Sequence, residues 1–173
     1  MTPIVNQNDI DEIFTNVLTD LACNSSILRI YPDSSSTEIT IESSTFGQLY
    51  ILNRGIWSKL EEQIRQWAVD DGAVFVVTGT FLSQGLPTIG RNRIAIPKIF
   101  YKVIPDYSEH EIKAIAFLMP NEGSREPSQH YAVTIDSVEK VTGKDFFFKL
   151  ADDQEMIIES CIDLGKWGWP KKN

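Results

Sequence analysis

Histidine is scarce in this chain: two among 173 residues, His110 and His130. Cysteine is equally scarce. Cys23 and Cys161 lie far apart, and neither has a second Cys or a His two to four residues away, which argues against zinc. Two buried thiols, or one disulfide in an oxidising compartment, remain open. No apolar run approaches the about 18 residues of a membrane-crossing helix. The opening "MTPIVNQNDIDEIF" has neither the basic nor the apolar region of a signal peptide, so a soluble chain without membrane association is expected. Positive charge is in deficit, with 16 Lys and Arg against 24 Asp and Glu, a net charge of -8. Such a chain is a poor candidate for tight non-specific binding to phosphate backbones, although a local basic cleft can hide within an acidic total. Repeats, low-complexity tracts and long linkers are missing too. With 42% hydrophobic content, this predicts one domain over residues 1–173.

What is present alternates between helical and strand patterns. "NDIDEIFTNVLTDLAC" places Ile10, Ile13, Phe14, Val17, Leu18 and Leu21 at helical spacing. "SILRIYP" and "TEITIES", around "DSSS", read as a hairpin. "GIWSKLEEQIRQWA" reads as a helix stopped near Gly72. "AVFVVTGT" reads as a central strand, "RIAIP" and "IFYKVIP" as two more around Pro97, "IKAIAFLMP" as another and "HYAVTI" as a shorter one. "DSVEKVTG" reads as a helix with Asp136 and Glu139 in capping-box spacing, and "DQEMIIESCI" as a last helix. Helices flanking mostly sequential strands predict an α+β fold with a largely antiparallel central sheet.

Chemistry concentrates in "LNRGIWSKLEEQIRQWA". Asn53, Trp57, Glu61 and Arg65 recur every four residues, so one helix stacks them in a slowly drifting stripe. Leu60, Ile64 and Trp67 form a core-facing stripe beside it. By themselves these residues allow an ordinary reading. Asn53 suits a turn or helix start, and Glu61 with Arg65 suits an i,i+4 ion pair of about 0.2–0.5 kcal/mol.

The ordered series "LNRGIWSKLEEQIRQWA", "VFVVTGT", "IAIPKIFYKVI", "AIAFLMPN" and "DSVEKVTGKDFFFKL" resembles the DNA/RNA non-specific endonucleases, Mg²⁺-dependent nucleases of the ββα-metal type. The resemblance covers residues 46–173 and leaves 1–45 as a divergent N-terminal portion. It implies that Asn53 is the direct protein ligand of Mg²⁺, that Glu61 organises the metal's water shell, and that Arg65 stabilises charge on the phosphate. These residue types suit the ion, which is hard, takes oxygen ligands and keeps several waters.

The same resemblance implies an Asp-Arg-Gly-His motif about thirty residues before the Asn, its His being the general base. No such motif stands there; Arg29, Tyr31 and Pro32 are a faint echo, and "TFGQLYILN" shortens the segment leading to Asn53. His110 and His130 both follow the helix and read as a loop residue and a sheet-end residue. Arg91, Arg93 and Lys98 form a basic stretch that suits phosphates or a solvated strand face. Trp167 and Trp169 suit base stacking or the pinning of a chain end. Two functions follow: a divergent, catalytically impaired Mg²⁺-dependent nuclease, or a non-catalytic binding or assembly module on the same fold. Acidic charge disfavours nucleic acid as a partner, and a homodimer or protein partner is left open.

Overall fold

The structure is a computed structural model that describes residues 25–30, 36–41, 47–72, 74–108, 111–148 and 150–170. The expected helix around residues 10–21, Cys23, Tyr31, Pro32 and His110 lie outside them. The hairpin is present as β1 (Ser25–Ile30) and β2 (Ser36–Ile41), paired antiparallel. Two short turns, Tyr50–Leu52 and Asn53–Trp57, lead into α1 (Ser58–Asp71). There follow β3 (Val74–Phe81), β4 (Thr88–Ile89), β5 (Ile94–Ala95), β6 (Ile99–Ser108), β7 (Glu111–Pro120) and β8 (Ala132–Val133). Helices α2 (Ile135–Thr142) and α3 (Asp152–Ser160) close the sequence of elements.

Six strands form one antiparallel sheet in the order β2-β1-β3-β6-β7-β8, and β4 pairs with β5 apart from it. Side chains on a strand alternate between faces, and the sheet carries an apolar layer on each. Val74, Val76, Phe100, Ile104, Ile115, Phe117 and Met119 pack with Leu60, Ile64, Trp67 and Ala68 of α1. Their neighbours Phe75, Val77, Tyr101, Val103, Ala114 and Ala116 pack with Ile135 and Val138 of α2 and Ile158 of α3. With helices on both sides of an antiparallel sheet, the α+β architecture is as the sequence pattern predicts.

Three local readings need correction. "HYAVTI" is a 3₁₀ turn, Ser128–Tyr131, then the two-residue β8, then the start of α2. Only Val133 and Ala132 pair with β7, so the sheet ends there. "RIAIP" contributes only Ile94–Ala95, while Arg91 and Arg93 sit in the tight turn before it, Arg93 with φ +52°. The cap of α2 is Thr134, whose side chain accepts from the Ser137 N–H, and not Asp136. Glu139 instead accepts the Phe146 N–H at 2.7 Å.

Trp167 is buried and Trp169 lies beside it, both against the Trp67 ring at centroid distances of 4.6 and 5.0 Å. The carbonyl of Gly168 between them accepts from Gln63 Nε2 and Trp67 Nε1 at 2.7 and 2.8 Å. The tryptophan pair therefore pins this segment to α1. Stacking on bases is not needed to explain it.

Candidate functional site

Gly55 decides how the stripe begins. Its φ of -98° and ψ of -117° are non-helical, so Asn53–Trp57 is a wide π-type turn offset from α1. A uniform four-residue stripe from Asn53 to Arg65 is therefore corrected to a kinked one. Wide turns of this kind recur at functional sites because they re-aim side chains without ending the helix.

The segment before the turn is held from the side. Asn121, buried just after β7, accepts the Leu49 N–H at 2.8 Å and donates to the carbonyls of Gly47 and Pro97, each at 2.9 Å. One amide thus satisfies three backbone groups from two segments. Gly123 lies so close that a Cβ there would stand 2.6 Å from Ile51 Cδ1. Asn53 is exposed, and its Nδ2 donates to Gln48 Oε1 at 2.7 Å. That bond commits the amide nitrogen and leaves the carbonyl oxygen, the atom a hard cation takes, for another partner.

Further along, Trp57 and Glu61 meet at a residue that the sequence pattern did not single out. Lys102 sits on the α1 face of β6, between Phe100 and Ile104 in the period-two alternation and opposite Thr78 of β3. It is buried, with Nζ 2.8 Å from Thr78 Oγ1, 3.7 Å from Glu61 Oε1 and 4.4 Å from the centre of the Trp57 ring. Burial pulls its ammonium down to about 8, Glu61 resists that shift, and the Arg65 charge adds to it. The Glu61 side chain is 40% exposed, so it offers carboxylate to solvent while one edge is held by Lys102. Arg65 makes its own ion pair with Glu62 at 3.0 Å, at the surface. The ordinary Glu61–Arg65 pair is not the contact found.

Other candidates fall elsewhere. His130 is exposed in its 3₁₀ turn, edge-on to Tyr131 at 5.2 Å. Lys98, Arg91 and Arg93 are exposed. Cys161 is an exposed free thiol, which corrects the expectation of burial for that residue. Among the described residues, no helix is long and apolar enough to cross a membrane. The missed residues had weak signals: Lys102 is a lone cation at a core-phase position of an apolar strand, and Asn121 directly follows the buried run "AIAFLMP".

The oxygen donors fit a hard divalent ion. The exposed Asn53 carbonyl and the half-exposed Glu61 carboxylate are oxygen donors of the kind such an ion takes.

Comparison with known proteins bears on this arrangement. The profile of the family described as DNA/RNA non-specific endonuclease matches residues 45–153. Mitochondrial endonuclease G of Bos taurus is 31% identical over 114 residues, 58% of this chain and 38% of that protein. A nuclease of Nostoc sp. is 28% identical over 121 residues, 64% of this chain and 43% of its own length. The chain thus spans about two-fifths of these relatives. A crystal structure of the EndoG/EndoGI complex, described as showing the mechanism of EndoG inhibition, matches with TM-score 0.52 and 31% identity. That match covers 59% of this chain and 47% of the solved one. With its kinked stripe, antiparallel sheet and flanking helices, the chain belongs to the DNA/RNA non-specific endonuclease family and has the ββα-metal nuclease fold.

Proposed function

We propose that this chain is a divergent, catalytically impaired member of its family, with a Mg²⁺ site edged by Asn53, Glu61 and Arg65. The observation that carries the reading is the contact of Trp57 and Glu61 with buried Lys102, one helical turn or more along the chain from an exposed Asn53. Residues 1–45 are a divergent portion and 46–173 the endonuclease-like portion of one domain. Asn53 would hold the ion through Oδ1, and Glu61 would orient the ion's water shell. The bound ion would polarise the phosphate and lower the pKa of its water. Arg65 neutralises charge that builds on the phosphate during cleavage. Lys102 fixes the Glu61 carboxylate and excludes water from its inner side.

A water-activating His at the family's position is what this sequence lacks, since no Asp-Arg-Gly-His precedes Asn53. Losing a general base costs typically about 10²–10⁴-fold in rate. The net charge of -8 supports a second reading, a non-catalytic module on the nuclease fold that engages a protein partner or a second copy of itself. Cleavage of plasmid DNA and of RNA in Mg²⁺ or Mn²⁺ separates the two. Slow cleavage that both Asn53→Ala and Glu61→Ala abolish supports the impaired nuclease. Cleavage as fast as that of a His-bearing relative run alongside refutes the impairment, and none in either metal favours the module.

A further inference from the structure

On the opposite face of the sheet, five carboxylates meet where α2 and α3 pack. Oxygens of Asp136, Glu139 and Glu159 all lie within 4.8 Å of one another, and so do those of Asp145, Glu155 and Glu159. Oxygens around one Ca²⁺, at about 2.4 Å each, stand at most about 4.8 Å apart across the ion. Each group is therefore close enough for its oxygens to share one ion.

Acidic clusters are common on surfaces, and what distinguishes this one is Glu159. Its side chain is only 8% exposed, and it is shared by both triads. Its Oε1 is sealed from solvent and has no hydrogen-bond partner. Glu139 and Glu159 share a side-chain hydrogen bond, which takes a proton on one of the two, and a cation at Oε1 is the ligand that would displace that proton. The charges that shift Glu139, Glu155 and Glu159 are those of Asp136, Asp145, Asp152 and one another. Burial and that mutual repulsion hold all three above the ordinary carboxylate range, Glu159 at about 8.

We propose that Asp136, Glu139, Asp145, Glu155 and Glu159 form a calcium site that ties α2 to α3, separate from the α1 edge. All-oxygen donors exclude a soft metal preference. Three carboxylates in each group already exceed the one or two that Mg²⁺ takes while it keeps its waters, whereas Ca²⁺ accepts six to eight oxygens in flexible geometry. Glu139 also accepts the Phe146 N–H, which fixes one member of the shell to the loop after α2. The site does not rest on the nuclease reading and holds whether or not the chain cleaves nucleic acid.

The test uses CaCl₂ alone, with calorimetric titration and thermal melts of the full chain at neutral pH. Saturable binding is expected, with a rise in melting temperature of several degrees. Binding to MgCl₂ should be at least tenfold weaker. Asp145→Asn with Glu155→Gln should lose tenfold or more in calcium affinity, while Asn53→Ala keeps it. Without calcium, the double variant should melt no lower than the parent, because it removes repulsion. The proposal is overturned by no heat and no shift at millimolar calcium, by unchanged binding in the double variant, or by a magnesium preference. It is equally overturned if the double variant melts lower without calcium.

Discussion

At the scale of single residues, Lys102 is an ammonium inside an apolar layer, held by a threonine hydroxyl, a carboxylate and an indole face. Folding lowers its pKa from 10.5 to about 8. Between those values the unfolded chain binds the extra proton, so stability rises with pH across that window. The penalty is in full force below about 8 and relieved above 10.5. Urea denaturation of the parent and of Lys102→Met should show the rise in the parent and a flatter profile in the variant. The difference is on the order of 3 kcal/mol at full relief. If Lys102 positions Glu61, Lys102→Met should also reduce metal-dependent cleavage, and Lys102→Arg should restore part of it.

At the scale of elements, two devices set the placement of α1. Lys113 of β7 reaches Asp71 at the end of α1 at 3.0 Å and Asp106 of β6 at 3.2 Å. Burial alone would lower its pKa, but hydrogen bonds to both aspartates outweigh burial and raise it. Lys113→Met takes the ammonium away from the Asp106 carboxylate, 1% exposed, and should cost about 1.5–3 kcal/mol in chemical denaturation. Asn121→Ala strands the Leu49 N–H and the carbonyls of Gly47 and Pro97 and should cost about 1–3 kcal/mol. It should also weaken any metal binding measured at the proposed Asn53 site, because Asn121 holds the segment that leads to it.

These elements also mark what the sequence could and could not disclose. β3, β6, β7 and the body of α1 were legible because burial imposes period two on a strand and a stripe on a helix. β8 was not, since "HYAVTI" is apolar enough for a strand but only Ala132 and Val133 find partners on β7. The kink at Gly55 was also hidden. A glycine permits a non-helical ψ without announcing it, so the stripe from Asn53 to Trp57 looked continuous. Residue types at the α1 edge were readable, but their partners were not. Lys102 is 41 residues from Glu61, and only the β3–β6 register places it under the helix.

At the scale of the whole molecule, one sheet separates the amide and carboxylate oxygens of the α1 edge from the carboxylates between α2 and α3, and the two would serve different ends. The α1 face offers few oxygens and open space, which suits an ion that keeps its waters and meets a substrate. The α2–α3 face offers many oxygens and a buried one, which suits an ion that only binds. Electron paramagnetic resonance of added Mn²⁺ can isolate the first if the second is disabled by Asp145→Asn with Glu155→Gln. In that background the account predicts one remaining Mn²⁺ site, lost with Asn53→Ala and weakened with Glu61→Gln. Mn²⁺ binding that is absent from the start, or that survives Asn53→Ala unchanged, would contradict the claim that α1 carries a metal-site edge.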